Sequence, residues 1–436
     1  MTKSADLFER AKAVMPGGCS RNTILRKPHP IYAVRGEGCY VHDVEGVQRI
    51  DFANNVASLI HGHAHPAIVA AVSEQLARGT AFTVGTEVEI EYAEHMCSRN
   101  AGFERIRFVN SGTEAVMSSL KAARAYTGRP KIAKVEGSYH GLYDYAETSQ
   151  TAKPDNWGPA ERPASTPVSR GTPQHALDDV VVIPFNDPQR AIELLDAHAD
   201  EIACVLVDVL PHRIGLIPAS TEFLSALREW TQANGALLVF DEVITFRSNY
   251  GGAQQWYDVQ PDLTALGKMI GGGFPVGGIA GRAEVMEVMN PLNGPPAFPL
   301  YGTFSANPVT MTAGKTAMTL FDPAAVEAIN ALGEVARNGL REAVRIADVP
   351  VCVTGRGSMF RLHLSESAPQ NYREAYLPPE RASLLARFVG HLFDGGLLMV
   401  ETGTGILSTA MRQAEIDRLA EIALGALRKI KPELDR

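Results

Sequence analysis

The chain has 436 residues, of which 45% are hydrophobic and 21% are charged. At roughly 150 residues per domain this length predicts two or three folding units, and the composition excludes a disordered or fibrous protein. The formal net charge is -8, so the chain lacks the basic excess that binding to nucleic-acid phosphates requires. A nucleic acid is therefore not an expected partner.

The cysteines and the apolar runs indicate a cytoplasmic protein. Five cysteines lie far apart without a C-x-x-C pair, which is typical of reduced packing residues. No apolar run reaches the roughly 18 residues that span a bilayer, and the opening segment carries charges where a secretory signal would be apolar. We expect a cytoplasmic location and no membrane partner.

Helix and strand signals alternate from about residue 60 to 285, which predicts an α/β fold with a mostly parallel sheet covered by helices. A first helix should begin at Pro66 and stop at Gly79, and a second should run over 113–127 and stop at Gly128. The apolar residues that share one face of the first helix are Ile68, Val69, Val72 and Leu76.

Short apolar runs at 106–109, 202–209 and 236–240 predict buried strands of this sheet. Between residues 148 and 178 the periodicity disappears and prolines accumulate, so we expect a long irregular segment, either a functional lid or a disordered stretch. From about residue 307 the pattern turns to helices, short strands and helices again, which predicts a separate C-terminal α+β lobe.

Lys268 is the first candidate for chemistry. It is the only lysine between Lys153 and Lys315, and it lies between an apolar run and three glycines, where backbone can come close to a ligand. Burial lowers the pKa of a lysine and frees its amine to attack an aldehyde. Taken alone, the pattern more often means a surface lysine in a flexible loop.

Asp241 follows the strand predicted at 236–240. The carboxyl ends of strands are where open α/β sheets bind ligands. A buried carboxylate is costly unless a cation pairs with it, such as the protonated ring nitrogen of a cofactor. The alternative is an aspartate that caps the following helix.

Two further segments follow predicted strands. Ser111, Gly112 and Thr113 open a helix, where free N–H groups and the helix dipole bind anions; an ordinary helix cap is the alternative. Tyr139 and His140 supply an aromatic face on which a flat ring could stack; a buried core tyrosine is the alternative.

Three histidines alternate at His61, His63 and His65. Glycine, alanine and proline between and after them predict a turn before a helix, and no acidic or cysteine ligand accompanies them in the sequence. We therefore predict no metal site.

Anion site, aromatic face, strand-end aspartate and lysine occur in one order along the chain. Together they resemble the class III aminotransferases, a branch of the fold type I pyridoxal phosphate enzymes, and most of all the group with glutamate-1-semialdehyde aminomutases and β-amino-acid aminotransferases. The resemblance covers nearly the whole chain. Its motifs are MPGG at 15–18, RGEG at 35–38, HGHAHP at 61–66, NSGTEA at 110–115, SYHG at 138–141, FDEVIT at 240–245, LGKMIGGGFPVGG at 266–278 and GTFSANP at 302–308.

The resemblance implies roles for residues around the cofactor ring. Lys268 would hold pyridoxal phosphate as a Schiff base and then carry the proton between substrate and cofactor carbons. Asp241 would keep the ring nitrogen protonated, so that the ring accepts electrons from the substrate. Tyr139 and Val243 would sandwich the ring, with His140 beside it.

It also implies roles at the edges of the site. The Ser111–Gly112–Thr113 segment would cradle the cofactor phosphate. Thr303 would complete the phosphate site of a neighbouring subunit, which makes a homodimer with shared active sites part of the expectation. Arg21 matches an arginine that binds the substrate carboxylate in β-amino-acid enzymes; a solvated loop arginine is the alternative.

Two segments depart from the family pattern. Where relatives place a side chain that reaches the phenolic oxygen of the cofactor, this chain has Pro211, His212 and Arg213. Pro211 cannot make that contact, so His212 or Arg213 would replace it in binding substrate or cofactor, or the contact is missing. Residues 400–405 lack the second arginine of some β-amino-acid enzymes.

These patterns predict an aminotransferase that moves an amino group from a small-molecule donor to a carbonyl acceptor. Its large domain should span 50–310 and its small domain 1–49 with 311–436. An intramolecular aminomutase would use the same residues and is the alternative. A scaffold without activity is disfavoured, because it would have been free to lose Lys268 and Asp241.

Overall fold

The computed structural model describes residues 2–434. Its strands, in chain order, are β1 (Ala33–Glu37), β2 (Tyr40–Asp43), β3 (Gln48–Asp51), β4 (Arg105–Val109), β5 (Lys131–Val135), β6 (Val180–Ile183), β7 (Ile202–Val207), β8 (Leu237–Asp241), β9 (Leu263–Gly267), β10 (Gly277–Gly281), β11 (Cys352–Thr354), β12 (Met359–His363), β13 (Leu397–Leu398) and β14 (Thr404–Ile406).

The α-helices are α1 (Lys3–Val14), α2 (Asn54–Ala57), α3 (Pro66–Arg78), α4 (Glu87–Ser98), α5 (Gly112–Thr127), α6 (Asp144–Glu147), α7 (Gln174–Asp178), α8 (Pro188–Asp196), α9 (Thr221–Ala233), α10 (Ala283–Met286), α11 (Pro308–Leu320), α12 (Pro323–Ala347), α13 (Tyr372–Ala375), α14 (Pro379–Asp394) and α15 (Gln413–Leu434). Short 3-10 turns connect several of them, including His212–Ile214 and Lys268–Gly271.

The central element is a seven-stranded sheet with the order β4-β10-β9-β8-β7-β5-β6. Strand β10 runs antiparallel to both of its neighbours, and the other neighbouring pairs are parallel. Every residue of β6, β7, β8, β9 and β10 is buried, as expected for a sheet covered on both faces. The α/β fold with a mostly parallel sheet is confirmed, and the three predicted strands are present with ends shifted by one or two residues.

Capping residues explain why the predicted helices begin and end where they do. Helix α3 begins at Pro66 and is closed by Gly79, whose φ of 121° suits glycine. Helix α5 is closed by Gly128 in the left-handed region.

The face of α3 is only partly buried, because the helix packs against α11 along one narrow line. Ile68 and Val72 lie in this contact with Val309 and with small residues of α11. Val69 is 49% exposed and Leu76 is 51% exposed, so the predicted apolar face is wider than the contact it makes within the chain.

The two chain ends pack together beside the large sheet. A second sheet has the order β1-β2-β3-β13, in which C-terminal β13 runs parallel to N-terminal β3. A third, antiparallel sheet has the order β11-β12-β14, and helices α12 and α15 pack on each other. This arrangement agrees with a small domain made from both ends, although the boundaries at 50 and 310 stay a prediction.

Residues 148–178 form an irregular segment that ends in the short helix α7. All five cysteines are free, and Cys19, Cys39 and Cys204 are buried, as expected for packing residues. Within residues 2–434 no helix is both long and apolar enough to cross a membrane.

Candidate active site

The predicted site segments meet at the carboxyl edge of the seven-stranded sheet. A methyl group built on Gly112 would lie 2.8 Å from Val243 Cγ1, and one on Gly267, next to Lys268, would lie 3.3 Å from Gly112 Cα. One on Gly141 would lie 2.5 Å from Thr113 Oγ1. The segments after β4, β5, β8 and β9 therefore contact one another, and glycine is required where they cross.

The N-terminus of α5 provides an anion site. Ser111 caps the helix, because its Oγ accepts a hydrogen bond from Glu114 N at 3.1 Å. The Glu114 carboxylate accepts in return from Asn110 N at 2.8 Å. The first N–H groups of a helix have no partner within it and point toward an anion, so Gly112 and Thr113 fit a phosphate group.

Asp241 is held by two donors at the end of β8. His140 Nδ1 lies 2.7 Å from Asp241 Oδ2, and Val243 N donates to Asp241 Oδ1 at 3.0 Å. Burial lowers the pKa of His140, against the opposing effect of the Asp241 charge. The imidazole is therefore neutral at pH 7 and donates its Nδ1–H to Asp241, an acidic side chain that fits a protonated ring nitrogen.

Lys268 follows β9 with a φ of 50°, in the left-handed region that residues other than glycine rarely adopt. Such strain is concentrated at functional sites. Burial lowers the pKa of the Lys268 amine, while the charges of Asp241 and Asp208 raise it. A lysine of this kind is suited to attack an aldehyde.

Asp208 is a buried carboxylate beside Lys268 whose place in the site the sequence reasoning missed. It follows β7, and its Oδ1 accepts a hydrogen bond from Leu210 N at 2.9 Å. Burial, together with the charge of Asp241, raises its pKa well above the usual value. In the sequence Asp208 falls inside the apolar run predicted as a strand over 202–209, and an acidic residue within such a run was the available signal.

The turn of His212 and Arg213 lies beside Tyr139. The rings of Tyr139 and His212 meet edge to face with centroids 5.8 Å apart. Arg361 Nη1 donates to the His212 carbonyl at 2.7 Å and so fixes the turn. The sequence did not predict a role for Arg361, on β12, because only the folded chain brings it next to His212, 149 positions away.

The two remaining candidates lie at the surface of the chain. Arg21 is exposed and donates to Asn55 Oδ1 at 2.6 Å. Thr303 is also exposed, in a turn whose Ser305 Oγ lies 3.4 Å from Asn110 Nδ2. Their functional roles stay predictions.

His61 and His63 make separate hydrogen bonds within the fold, and the His65 ring lies 5.4 Å from that of His61. His61 bonds to Thr409 Oγ1 at 2.8 Å and to the Ala317 carbonyl at 2.9 Å. His63 Nε2 lies 2.8 Å from Asp51 Oδ2, a carboxylate that is distant from it in sequence. Among residues 2–434, no cluster of three or more potential metal ligands is present.

A helix N-terminus for a phosphate, a carboxylate for a ring nitrogen and a lysine for an aldehyde together fit pyridoxal phosphate. The fold and these residues define a pyridoxal-phosphate-dependent enzyme of fold type I. Residues 24–430 match the family model described as Aminotransferase class-III, and the chain belongs to that family.

Similar proteins are named both as aminotransferases, which move an amino group between two molecules, and as aminomutases, which move it within one. The chain is 43% identical over 376 residues to a glutamate-1-semialdehyde 2,1-aminomutase of Methanothermobacter thermautotrophicus, with 86% of each chain covered. It is 48% identical to an omega-transaminase of Sphaerobacter thermophilus, with a TM-score of 0.96 and coverage of 98% and 97%. It is 34% identical to a β-phenylalanine aminotransferase of Variovorax paradoxus, with a TM-score of 0.87 and coverage of 98% and 94%.

Proposed function

We propose that this protein is an intermolecular aminotransferase, which moves an amino group from an amine or amino acid, including β- and ω-amino donors, to a separate keto or aldehyde acceptor. Pyridoxal phosphate supplies the aldehyde that accepts the amino group and the ring that withdraws electrons from the substrate carbon. Lys268 binds the cofactor and carries the proton at its Nζ. Asp241, oriented by His140, holds the proton on the ring nitrogen.

Other residues of the chain seat the cofactor in this proposal. The α5 N-terminus at Gly112 and Thr113, with the Ser111 hydroxyl, binds the phosphate. Tyr139 and Val243 enclose the ring from its two faces. Both side chains are partly exposed at the sheet edge, as residues that contact a ligand should be.

The irregular segment at 148–178 supports transfer between two substrates over exchange within one, because it is held in place. Arg373 of the C-terminal half makes several of the contacts that hold it. The guanidinium donates to the carbonyls of Trp157, Gly158 and Pro159 at 2.8–3.1 Å. It also forms an ion pair with Glu136 at 2.9 Å. The segment is thus tied both to the C-terminal half and to the end of β5.

Further contacts hold residues 149, 152 and 164 of the same segment. Tyr372 OH donates to the Ala152 carbonyl at 2.8 Å, and Ser149 Oγ donates to the Ala164 carbonyl at 2.6 Å. A segment held in this way fits an enzyme that releases its first product and admits a second substrate. Retention of one substrate through an internal exchange favours a segment that closes over it.

A glutamate-1-semialdehyde 2,1-aminomutase activity is the second candidate. The relative from Methanothermobacter thermautotrophicus carries that name, and so does one from Desulforudis audaxviator at 40% identity over 435 residues. The same Lys268 and Asp241 would serve both reactions.

One experiment separates the two reactions. The purified holoenzyme is mixed with a panel of α-, β- and ω-amines without acceptor, and the cofactor absorbance is followed. We expect conversion to the amine form with release of a carbonyl product, and its reversal by a keto acid. In a parallel reaction, glutamate-1-semialdehyde alone is tested for movement of its amino group from carbon 2 to carbon 1. Rapid isomerisation without response to the panel would contradict the proposal.

We also propose a homodimer. Tyr301 and Phe304 lie beside Thr303 in the chain and are 87% and 60% exposed, and exposed apolar side chains of this size mark interfaces. Leu292, 87% exposed, and Leu142, 72% exposed, are two further large apolar side chains open to solvent in the single chain. A partner that covers this surface would receive Thr303 in its own phosphate site.

A cytoplasmic location remains our proposal. Five free thiols without a disulfide among residues 2–434 agree with a reducing compartment. Fractionation of cells with an antibody to the protein tests it.

A further inference from the structure

Two arginines beside the site carry positive charge without a counter-ion. Arg361 is only 6% exposed, and its buried Nε has no hydrogen-bond partner within residues 2–434. Arg213 is half-buried, and its Nε is likewise buried without a partner. Within the described part of the chain neither guanidinium lies within 4.0 Å of a carboxylate, whereas Arg373 nearby is paired with Glu136.

Both charges lie beside the His212 turn, because Arg213 follows His212 in the chain and Arg361 donates to the His212 carbonyl. The pKa of His212 is lowered to about 3, chiefly by burial. The positive charges of Lys268, Arg213 and Arg361 lower it further. The imidazole therefore stays neutral and adds no charge of its own. Both arginines therefore lie on the side of the site where His212 meets the Tyr139 ring.

A buried guanidinium without an anion is unfavourable, and its planar donors match a carboxylate in bidentate geometry. The cofactor phosphate is assigned to the α5 N-terminus, on the side of Gly112 and Val243. A carboxylate of the substrate would neutralise the positive charge that Arg213 and Arg361 place beside Tyr139.

We propose that Arg213 binds the carboxylate of the amino donor, while Arg361 acts as a positioning residue that fixes the His212 turn. The enzyme is then specific for amino acids over amines that lack a carboxylate. This inference rests on the proposed aminotransferase function and names its substrate class.

The test compares donors that differ only in the carboxylate, 3-aminobutanoate with 2-aminobutane and 3-amino-3-phenylpropanoate with 1-phenylpropylamine. In Arg213→Gln the KM of each amino acid should rise about 10- to 100-fold with kcat nearly unchanged, because one charge-assisted contact is lost. The KM of each plain amine should change less than about twofold, and Arg213→Lys should recover part of the loss. Arg418→Gln, on α15, removes an exposed arginine that pairs only with Glu421; it is the matched control and should behave as wild type.

A binding measurement makes the test independent of turnover. Butanoate, which has no amine, is titrated into the holoenzyme while the cofactor absorbance is followed, and Arg213→Gln should weaken its binding at least about tenfold. If the wild type converts neither the amino acids nor the amines, the proposed function fails, but butanoate binding still tests the arginine. Failure of the wild type to bind butanoate would overturn the inference. So would equal KM effects on amino acids and amines, or a shifted cofactor spectrum without ligand, since Arg213 would then serve the cofactor.

Discussion

His140 Nδ1 lies 2.7 Å from Asp241 Oδ2, and the two residues are 2% and 6% exposed. The bond orients the carboxylate, and the Val243 N–H at 3.0 Å restrains its other oxygen. Asp241 thus reaches the proposed ring nitrogen in a fixed position, supported by a neutral imidazole that does not compete for its charge.

Removing the donor from His140 should weaken this support. In His140→Leu we expect kcat to fall about 10- to 100-fold, the usual effect of losing a residue that orients a reacting group. His140→Asn should lose less, because its amide nitrogen can donate from nearly the same place as Nδ1. Steady-state kinetics with a pH titration of the cofactor absorbance measure both variants. Equal activity in the two variants would show that the hydrogen bond is unimportant.

Asp241→Asn should have two measurable effects. Turnover should fall by orders of magnitude, because the charge that holds the ring proton is gone. The pKa of the Lys268 amine should also fall further below its usual value, since the Asp241 charge raises it in the wild type. The pH dependence of cofactor capture by the apoenzyme, trapped with borohydride, reports that pKa. An unchanged or raised pKa would argue against the contact.

Lys268→Ala should abolish turnover, by at least about a thousandfold, while the protein stays folded. The phosphate and ring contacts should still hold the cofactor without a covalent bond. Mass spectrometry after borohydride reduction should find the cofactor attached to the wild type and not to the variant. Lys315→Ala, which removes an exposed lysine paired with Glu91, serves as the control and should remain active.

Local sequence patterns predicted much of this molecule, because caps and strand ends are short-range features. Gly79 and Gly128 ended their helices where the pattern placed them, and Asp241 lay at the end of its strand. Contacts between residues that are far apart in the sequence could not be predicted from local patterns. Arg373 meets Glu136 across 237 positions, and neither residue has a neighbour in sequence that hints at the other.

Arg373→Ala should release the irregular segment without removing a residue that contacts the cofactor. Chymotrypsin should then cut after Trp157, and a glutamate-specific protease after the exposed Glu161, faster than in the wild type, because the carbonyls at 157–159 lose their donors. Arg345→Ala is the control, since Arg345 forms only an exposed pair with Glu342. Equal cleavage rates would show that the segment is held by its other contacts.

The shared active site can be tested by mixing two inactive variants. Lys268→Ala lacks the reacting amine, and Thr303→Asp places a carboxylate where the phosphate of the partner site should lie. If Thr303 acts across a two-fold interface, a hybrid dimer has one site with both native residues, and its activity should be about half that of the wild type. If Thr303 acts within its own chain, neither site of the hybrid is intact and no activity returns. Hybrids isolated through two different affinity tags decide between these outcomes, and failure of the tagged chains to co-purify would contradict the dimer itself.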